Sequence, residues 1–473
     1  MKKTIKIAVF CFLFILFLIG CNKQDDSYVP TDLQINNFVW KGMNQYYLFQ
    51  NEVQNLRDDR FSNQNDLNNF LRTNSDPISF FNSLKVDASI DRFSVIFSDY
   101  TVLQGLLSGN TKNNGVVYGL KLKNGSTTDL FGWIKYIIPN SDAASKNLSR
   151  GQLFYAINGV PLTTSNFRTL LANDVYTMNF ANFAGGAITP NGQSVSLSKS
   201  TLAENPVMIT NVFNQGAKRI GYLVYNAFYA NYETQLNAAF GQLQSQNITH
   251  LIVDLRYNSG GSIATATRLA SLITGQFNGQ VFAKQQWNAK MQAYWQQQNP
   301  SILTNLFTTA AANGMDLNSL NLSKVFILTS KSTASASELV INGLKPYIQV
   351  VQIGEVTTGK NVGSVSLYDS ANFGNSGINP NHRYALQPLV LKLTNASNFG
   401  DYQAGLSPDV AQTEDVSNLG VLGNPTEPLL ATALNYILIN GRMMPPQPQI
   451  NFENYADSKD LIPLQTDMYL DLK

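Results

Sequence analysis

A layered α/β domain is predicted for the second half of this chain, with a β-rich unit ahead of it and a small helical unit at the front. Three observations predict this. From Arg219 onward apolar strand-like runs alternate with helical runs, the rhythm of an α/β layered domain. Residues 105–203 carry period-two alternation between turn signals. Residues 31–100 carry helical spacing interrupted by Asn and Asp. At 473 residues two or three domains are expected, and 44% hydrophobic with 11% aromatic residues suffices for real cores.

The chain starts with Lys2 and Lys3, followed by an apolar run from Ile7 to Gly20. That run is shorter than the about 20 residues of a comfortable membrane span and reads as a secretory leader. It closes on Leu18-Ile19-Gly20-Cys21, which resembles the lipobox of bacterial lipoproteins. Residues 1–20 are then a lipoprotein signal peptide, Cys21 is acylated, and the polar residues 21–30 are a tether. Cys11 lies inside the leader, so the remaining chain keeps one cysteine and no disulfide framework. Several acyl chains, at about 0.8 kcal/mol per buried methylene, make such an anchor effectively permanent. The acidic stretch after Cys21 weakly resembles surface-export signals of Bacteroidetes lipoproteins. The expected location is therefore the cell envelope, lipid-anchored at the outer membrane, with the periplasmic and surface faces both open.

The formal charge is +2, and Lys2, Lys3 and Lys6 belong to the leader, so the rest of the chain is close to neutral. Charged residues make up 14%, well below the roughly 25% of average proteins. No Lys/Arg stripe stands out, which argues against a nucleic-acid partner.

Residues 31–104 are expected to form the helical domain. Val39, Met43, Tyr46 and Tyr47 recur at helical spacing behind Thr31-Asp32, a plausible cap. A strand from Val95 to Phe97 follows Asp91-Arg-Phe-Ser94. Residues 105–203 begin with strands at Val116–Leu122 and Trp133–Ile138. A turn at Pro139–Asp142, a short Ala-containing helix and the stretch Leu153-Phe-Tyr-Ala-Ile-Asn-Gly159 come next. This order resembles a PDZ domain, in which backbone N–H groups of a Gly-Leu loop hold a peptide C-terminus and a strand edge accepts the peptide by β-augmentation. The loop here is Tyr118-Gly119-Leu120, which makes Gly119 and Leu120 the expected peptide-binding residues. A generic β-rich linker unit is the alternative.

Residues 204–440 carry the α/β rhythm: strands at Ile220–Val224, His250–Leu255, Lys324–Thr329 and Ile348–Gly354, and helices over 231–246, 262–274 and 335–347. The glutamine-rich insert 284–322 is expected to be a helical excursion, and 441–473 a C-terminal tail.

Three stretches carry chemistry. Asp254-Leu-Arg-Tyr-Asn-Ser-Gly-Gly261 is a strand end entering a glycine turn, whose free amides can face a developing oxyanion. Lys331-Ser-Thr-Ala-Ser-Ala-Ser-Glu338 is a small-residue turn opening a helix, where a serine nucleophile gains from the helix dipole. Ser332, Ser335 and Ser337 compete there. Ser335 is preferred because Glu338 then falls three residues on, along one helical face. Gly354-Glu-Val-Thr-Thr-Gly-Lys-Asn361 places Lys360 in a small, uncharged setting, 25 positions after Ser335. A base there needs its amine brought from about 10.4 to about 7–8, through desolvation or hydrogen bonding. With only His250 and His382 in the chain, a serine–histidine pair has few candidates. The third stretch also approaches the phosphate-binding pattern G-x-x-x-x-G-K-[ST]. Asn361 lacks the metal-binding hydroxyl, and Val362–Leu367 reads as strand where that pattern needs a helix.

Taken together, these segments resemble the C-terminal processing peptidases, also called tail-specific proteases, a serine–lysine family. The resemblance covers roughly 35–435 and includes Gly405-Leu-Ser-Pro-Asp409 and Leu422-Gly-Asn-Pro-Thr-Glu-Pro428. It implies a catalytic domain with the layered β-β-α architecture of the ClpP/crotonase kind. It further implies Ser335 as nucleophile, Lys360 as base, and the amides of Gly261 and Ala336 as oxyanion donors, each typically worth about 2.7–4 kcal/mol. The implied reaction is endopeptidic cleavage of protein or peptide substrates through an acyl-enzyme, with no cofactor and no metal. Many relatives place Gln or Glu four residues after the lysine. This chain has Ser364, which leaves Glu338 or a water to steady the amine. Two other readings fit a chain of this kind: a non-catalytic binding lipoprotein, and a protease adapter working through its PDZ-like groove.

Overall fold

The computed structural model describes residues 28–439, 452–464 and 466–471, so Cys21 and the whole leader lie outside the described residues. The apolar runs of the second half assemble into one six-stranded sheet. Its order is Val207–Gln215, Lys218–Tyr225, His250–Asp254, Lys324–Thr329, Gln349–Gly354, Val410–Ala411. The first two strands form an antiparallel pair. The others run parallel, with Val253 opposite Ile327 and Ile327 opposite Gln352. Parallel pairing needs crossovers, and the helices Glu233–Ser245, Ile263–Thr274 and Ala336–Leu344 lie in them. Both faces of this sheet are covered, which is why its strands read as continuous apolar runs. Leu223, Leu251, Val253 and Ile327 point into one core, and Val224, Ile252, Phe326 and Leu328 into the other. The helix Pro428–Leu438 closes the second face with Leu429, Leu430 and Leu434.

A second six-stranded sheet is built from short pieces, in the order Gly261–Ser262, Met468–Tyr469, Val362–Ser364, Leu389–Asn395, Val281–Trp287, Thr304–Leu306. The helix Ala336–Leu344 packs against Ile263–Thr274 and touches strands of both sheets. Every residue of Ala336–Leu344 is buried. A layer of helices between two sheets is thus the setting of the candidate nucleophile.

The insert 284–322 is not a helical excursion. The strand Val281–Trp287 runs into it, only Ala289–Gln298 is α-helical, and Thr304–Leu306 returns as a strand. Gln285 misleads because it is satisfied inside the sheet, whereas Gln292 and Gln296–Gln298 do lie in the helix. The Gln285 amide donates to Asn305 Oδ1 at 2.9 Å and accepts from Trp287 Nε1 at 3.1 Å.

The β-rich stretch forms an antiparallel sheet in the order Asn454–Asp457, Val116–Leu122, Leu130–Ile137, Leu153–Ile157, Val175–Ala184, Ala187–Ser198. It has its own core, including Tyr118, Leu130, Phe154, Met178 and Leu197. The expected Ala-containing helix is a single 3-10 turn, Ala144–Lys146, ended by Asn147 at φ +55°. Gly119 and Leu120 also depart from expectation. They sit inside the strand Val116–Leu122 rather than in a loop, since the alternation that predicts this strand runs straight through them. Gly119 is needed for packing: a Cβ there would meet Trp133 Nε1 at 2.6 Å.

The front helices Gln34–Tyr46, Gln64–Leu71 and Pro77–Ser83 share one core with the α/β part through Phe38, Val39, Met43 and Tyr47. Thr31 and Asp32 fall in a 3-10 turn and cap nothing; the side-chain caps are Asn63 and Asp76, on the two later helices.

A buried knot of charge joins the β-rich unit to the α/β sheet. Arg256 lies 2.8 Å from Asp254 and 2.7 Å from Glu427, and Glu414 lies between Arg256, Tyr257 and Arg150. Burial pushes the Glu414 carboxyl up, but the Arg150 and Arg256 guanidiniums and the Tyr257 hydroxyl outweigh it and hold the group down at about 2. A carboxyl depressed in the fold adds stability above its ordinary value near 4.5 and loses it as pH falls towards 2. The melting temperature is therefore expected to drop more steeply across that window in the wild type than in Glu414→Gln. Parallel slopes in circular-dichroism melts would remove Glu414 from the acid response.

Candidate active site

The strand His250–Asp254 ends in a turn whose glycines have no substitute. Gly260 and Gly261 hold φ of +122° and +133°. A Cβ on Gly260 would stand 2.6 Å from Ser335 Cβ, 2.9 Å from Ser335 Oγ and 2.7 Å from the Asp467 carbonyl oxygen. The turn is fastened to the serine segment by its own backbone. Asn258 O accepts from Ala334 N at 3.1 Å and Ser337 Oγ at 3.1 Å, and Leu255 O accepts from Thr333 Oγ1 at 2.9 Å. Asn258 Oδ1 takes the Gly260 N–H at 3.0 Å. The next residue, Gly261, the expected donor, is paired in parallel with Met468 in this structure. Ala336, the expected second donor, stands at the first turn of its helix, where N–H groups have no helical partner.

Of the three competing serines, Ser335 has the geometry of a nucleophile. It is fully buried at the N-terminus of Ala336–Leu344 with φ +65°, a conformation that costs a non-glycine residue roughly 1–3 kcal/mol. Its Oγ is buried with no hydrogen-bond partner among the described residues. Ser332 and Ser337 are both engaged, with Asp457 at 2.8 Å and Asn258 O at 3.1 Å.

Glu338 organises both sides of the site without touching either reactive atom. Its Oε2 accepts the backbone N–H groups of Ser335 at 2.7 Å and Lys360 at 2.9 Å. Its Oε1 accepts from Gly359 N at 2.6 Å and Thr357 Oγ1 at 2.5 Å. Burial raises the carboxyl, and these four donors pull against it. Glu338 is therefore a positioning residue and does not steady the Lys360 amine.

Lys360 is 1% exposed, so its amine is kept from bulk water. In this structure Nζ donates to Asp467 Oδ1 at 2.8 Å and lies 4.3 Å from the centre of the Phe93 ring. The described hydrogen bonds of the amine do not include Ser335. Ser364 Oγ donates to Asp467 Oδ2 at 2.5 Å, and Gln387 Nε2 reaches the same carboxylate at 3.1 Å and Ser364 Oγ at 2.9 Å. The chain after Lys360 continues as the strand Val362–Ser364, as expected for a segment that is not a phosphate loop.

Sequence reasoning brings Ser335, Lys360, Glu338, Gly261 and Ala336 to one place and misses Asp467, Phe93 and Gln387. Phe93 sits in the Asp91-Arg-Phe-Ser94 segment that the sequence singles out only as a strand entry. Gln387 reaches Ser364 and Asp467 from a strand, Ala385–Gln387, with no motif of its own. Gly119 and Leu120 lie on a cavity of about 250 Å³, lined also by Lys135, Ser332 and Asp457, which shares Thr358 and Thr466 with the cavity at Lys360. Among the described residues no group of three or more His, Cys, Asp or Glu side chains could hold a metal ion.

A family model for peptidase family S41 matches residues 219–378, and one for the peptidase S41 N-terminal domain matches residues 34–95. The carboxyl-terminal-processing protease of Picosynechococcus sp. is 23% identical over 249 residues, 52% of this chain and 51% of the relative. The chloroplastic C-terminal processing peptidase of Tetradesmus obliquus is also 23% identical over 249 residues, 51% of this chain and 48% of its own length. The matched part thus spans about half the length of these curated relatives. A crystal structure of a Bacteroides fragilis protein assigned to the S41 proteases superposes with a TM-score of 0.64 at 25% identity. It covers 88% of this chain and 99% of that one.

Proposed function

This chain belongs to peptidase family S41, and on that premise we propose that it is a serine endopeptidase of the C-terminal processing type, working through Ser335 and Lys360. Ser335 Oγ attacks the carbonyl carbon of a peptide bond while neutral Lys360 Nζ takes its proton. The tetrahedral oxyanion is met by the amides of Gly261 and Ala336. Collapse breaks the C–N bond, and the lysine ammonium returns the proton to the departing amine. Lys360 then activates a water that hydrolyses the acyl-enzyme. The observation that carries this reading is Ser335 itself, a strained, buried serine with a free hydroxyl, whose backbone shares the Glu338 carboxylate with that of Lys360.

The finer parts of the proposal rest on sequence. Residues 105–203 act as a PDZ-like peptide-binding unit, and Cys21 carries a lipid anchor that holds the enzyme in the cell envelope. For a proton to move, the Lys360 amine must leave Asp467 and turn towards Ser335. When wild type and Ser335→Ala are incubated with unfolded envelope proteins and the products are mapped, new termini are expected only with the wild type. Identical fragments from both would refute the assignment. Peptide capture without new termini would favour the binding-lipoprotein or adapter reading.

A further inference from the structure

The C-terminal segment lies along the path a substrate would need. Asn454–Asp457 adds antiparallel to the free edge of Val116–Leu122, with Ala456 opposite Leu120 and Asp457 opposite Gly119. Glu453 O accepts from Leu122 N at 3.0 Å. This is β-augmentation performed by the chain on itself. Further on, Met468–Tyr469 runs parallel to Gly261–Ser262, with Met468 opposite Gly261, and the Asp467 carbonyl stands beside Gly260 and Ser335. One segment therefore covers both the strand edge and the reacting groups.

The chemistry of the track is cationic. Lys121, Lys135 and Lys360 are each 5% exposed or less. Lys121 Nζ donates to Asn454 Oδ1 at 2.6 Å and Phe452 O at 3.3 Å, and Lys360 Nζ donates to Asp467 at 2.8 Å. Lys135 Nζ is bonded to Asp457 and, at 3.0 Å, to Ser332 Oγ. Apart from Ser332, every described hydrogen-bond partner of these three amines lies in the C-terminal segment. Without that segment Lys121 and Lys360 would lose every described acceptor, and Lys135 all but the Ser332 hydroxyl. An ammonium held by Asp467 also has no lone pair with which to take the Ser335 proton.

We propose that the track from the edge of Val116–Leu122 to Lys360 is a binding site for acidic peptide segments, occupied here by the chain's own residues 452–464 and 466–471. The segment acts in cis as a competitor of substrate. Its carboxylates on Lys135 and Lys360 mark the substrate class: chains presenting acidic side chains to these two lysines. The competition, though not the binding site, rests on the peptidase reading.

The test uses full chains carrying Ser335→Ala, so that cleavage plays no part, and a fluorescein-labelled peptide with the sequence of residues 452–471. Reversing the two lysine-paired carboxylates of the tail, Asp457→Lys with Asp467→Lys, should free the track. The peptide is then expected to bind at least roughly thirtyfold more tightly than to the chain with the unaltered tail. Adding Lys135→Ala, or replacing Asp457 and Asp467 of the peptide by asparagine, should cost about the same factor. Equal binding to both tails, or binding indifferent to Lys135, would overturn the proposal. If the reversed chain does not melt cooperatively, Asp457→Asn with Asp467→Asn provides the same comparison. Failure of the peptidase reading is separate: a chain retaining Ser335 would then cleave nothing, tail reversed or not, while these affinities stood.

Discussion

Lys360→Ala is expected to lower kcat for an unfolded protein substrate by roughly 10⁴-fold or more, with KM changing little. The amine is the proton acceptor of the proposed first step, and neither histidine stands in for it. The two histidines are committed elsewhere: His250 bonds Thr249 Oγ1 at 2.9 Å, and His382 bonds Asp369 at 2.9 Å. Lys360→Arg is expected to be as inactive, because a guanidinium stays protonated at any working pH. Either variant changes a buried partner of Asp467, so circular dichroism must accompany the kinetics. A folded alanine variant that keeps more than about a tenth of wild-type kcat would remove Lys360 from the base role.

Glu338→Ala is expected to produce the largest loss of stability in the site. It strands four donors, the N–H groups of Ser335, Gly359 and Lys360 and the Thr357 hydroxyl. Each unsatisfied buried donor costs about 1–3 kcal/mol, which together is a large share of a typical stability of about 5–15 kcal/mol. The melting temperature should fall by on the order of 10 °C or more. Glu338→Gln keeps the shape, yet its amide nitrogen must face donors that need an acceptor, so it too should destabilise, though less. Because Glu338 holds the two reactive segments by their backbones, Glu338→Gln should reduce kcat more than it changes KM. A glutamine variant with wild-type melting and kcat would show that the carboxylate positions nothing.

The parts of this molecule legible in the sequence are those whose signal is local. The strands His250–Asp254, Lys324–Thr329 and Gln349–Gly354 are continuous apolar runs because both faces are buried. The turns at Gly260-Gly261 and at Ser335 carry small residues because the two approach within contact. The neighbourhood of Ser335, Lys360 and Glu338 follows from spacing and resemblance together, and the structure joins the first two through the Glu338 carboxylate. What stayed hidden is held by non-local pairing. Gly261–Ser262, Val362–Ser364 and Met468–Tyr469 are two- and three-residue strands, too short for any period, drawn from distant parts of the chain into one sheet. Asp467 lies next to one of them, in a tail without helical or strand rhythm. Gly119 and Leu120 misled differently. The Gly-Leu pair fits a carboxylate loop by composition, yet the alternation around it keeps the chain extended, and the edge it offers is already paired with Asn454–Asp457.

The most direct measurement is the rate at which a fluorophosphonate modifies Ser335 Oγ, identified by peptide mapping, in wild type and in folded Lys360→Ala. Labelling confined to Ser335, and slowed at least about a hundredfold by loss of the amine, is the predicted result. Equal rates in the two proteins, or modification of another serine in its place, would contradict it.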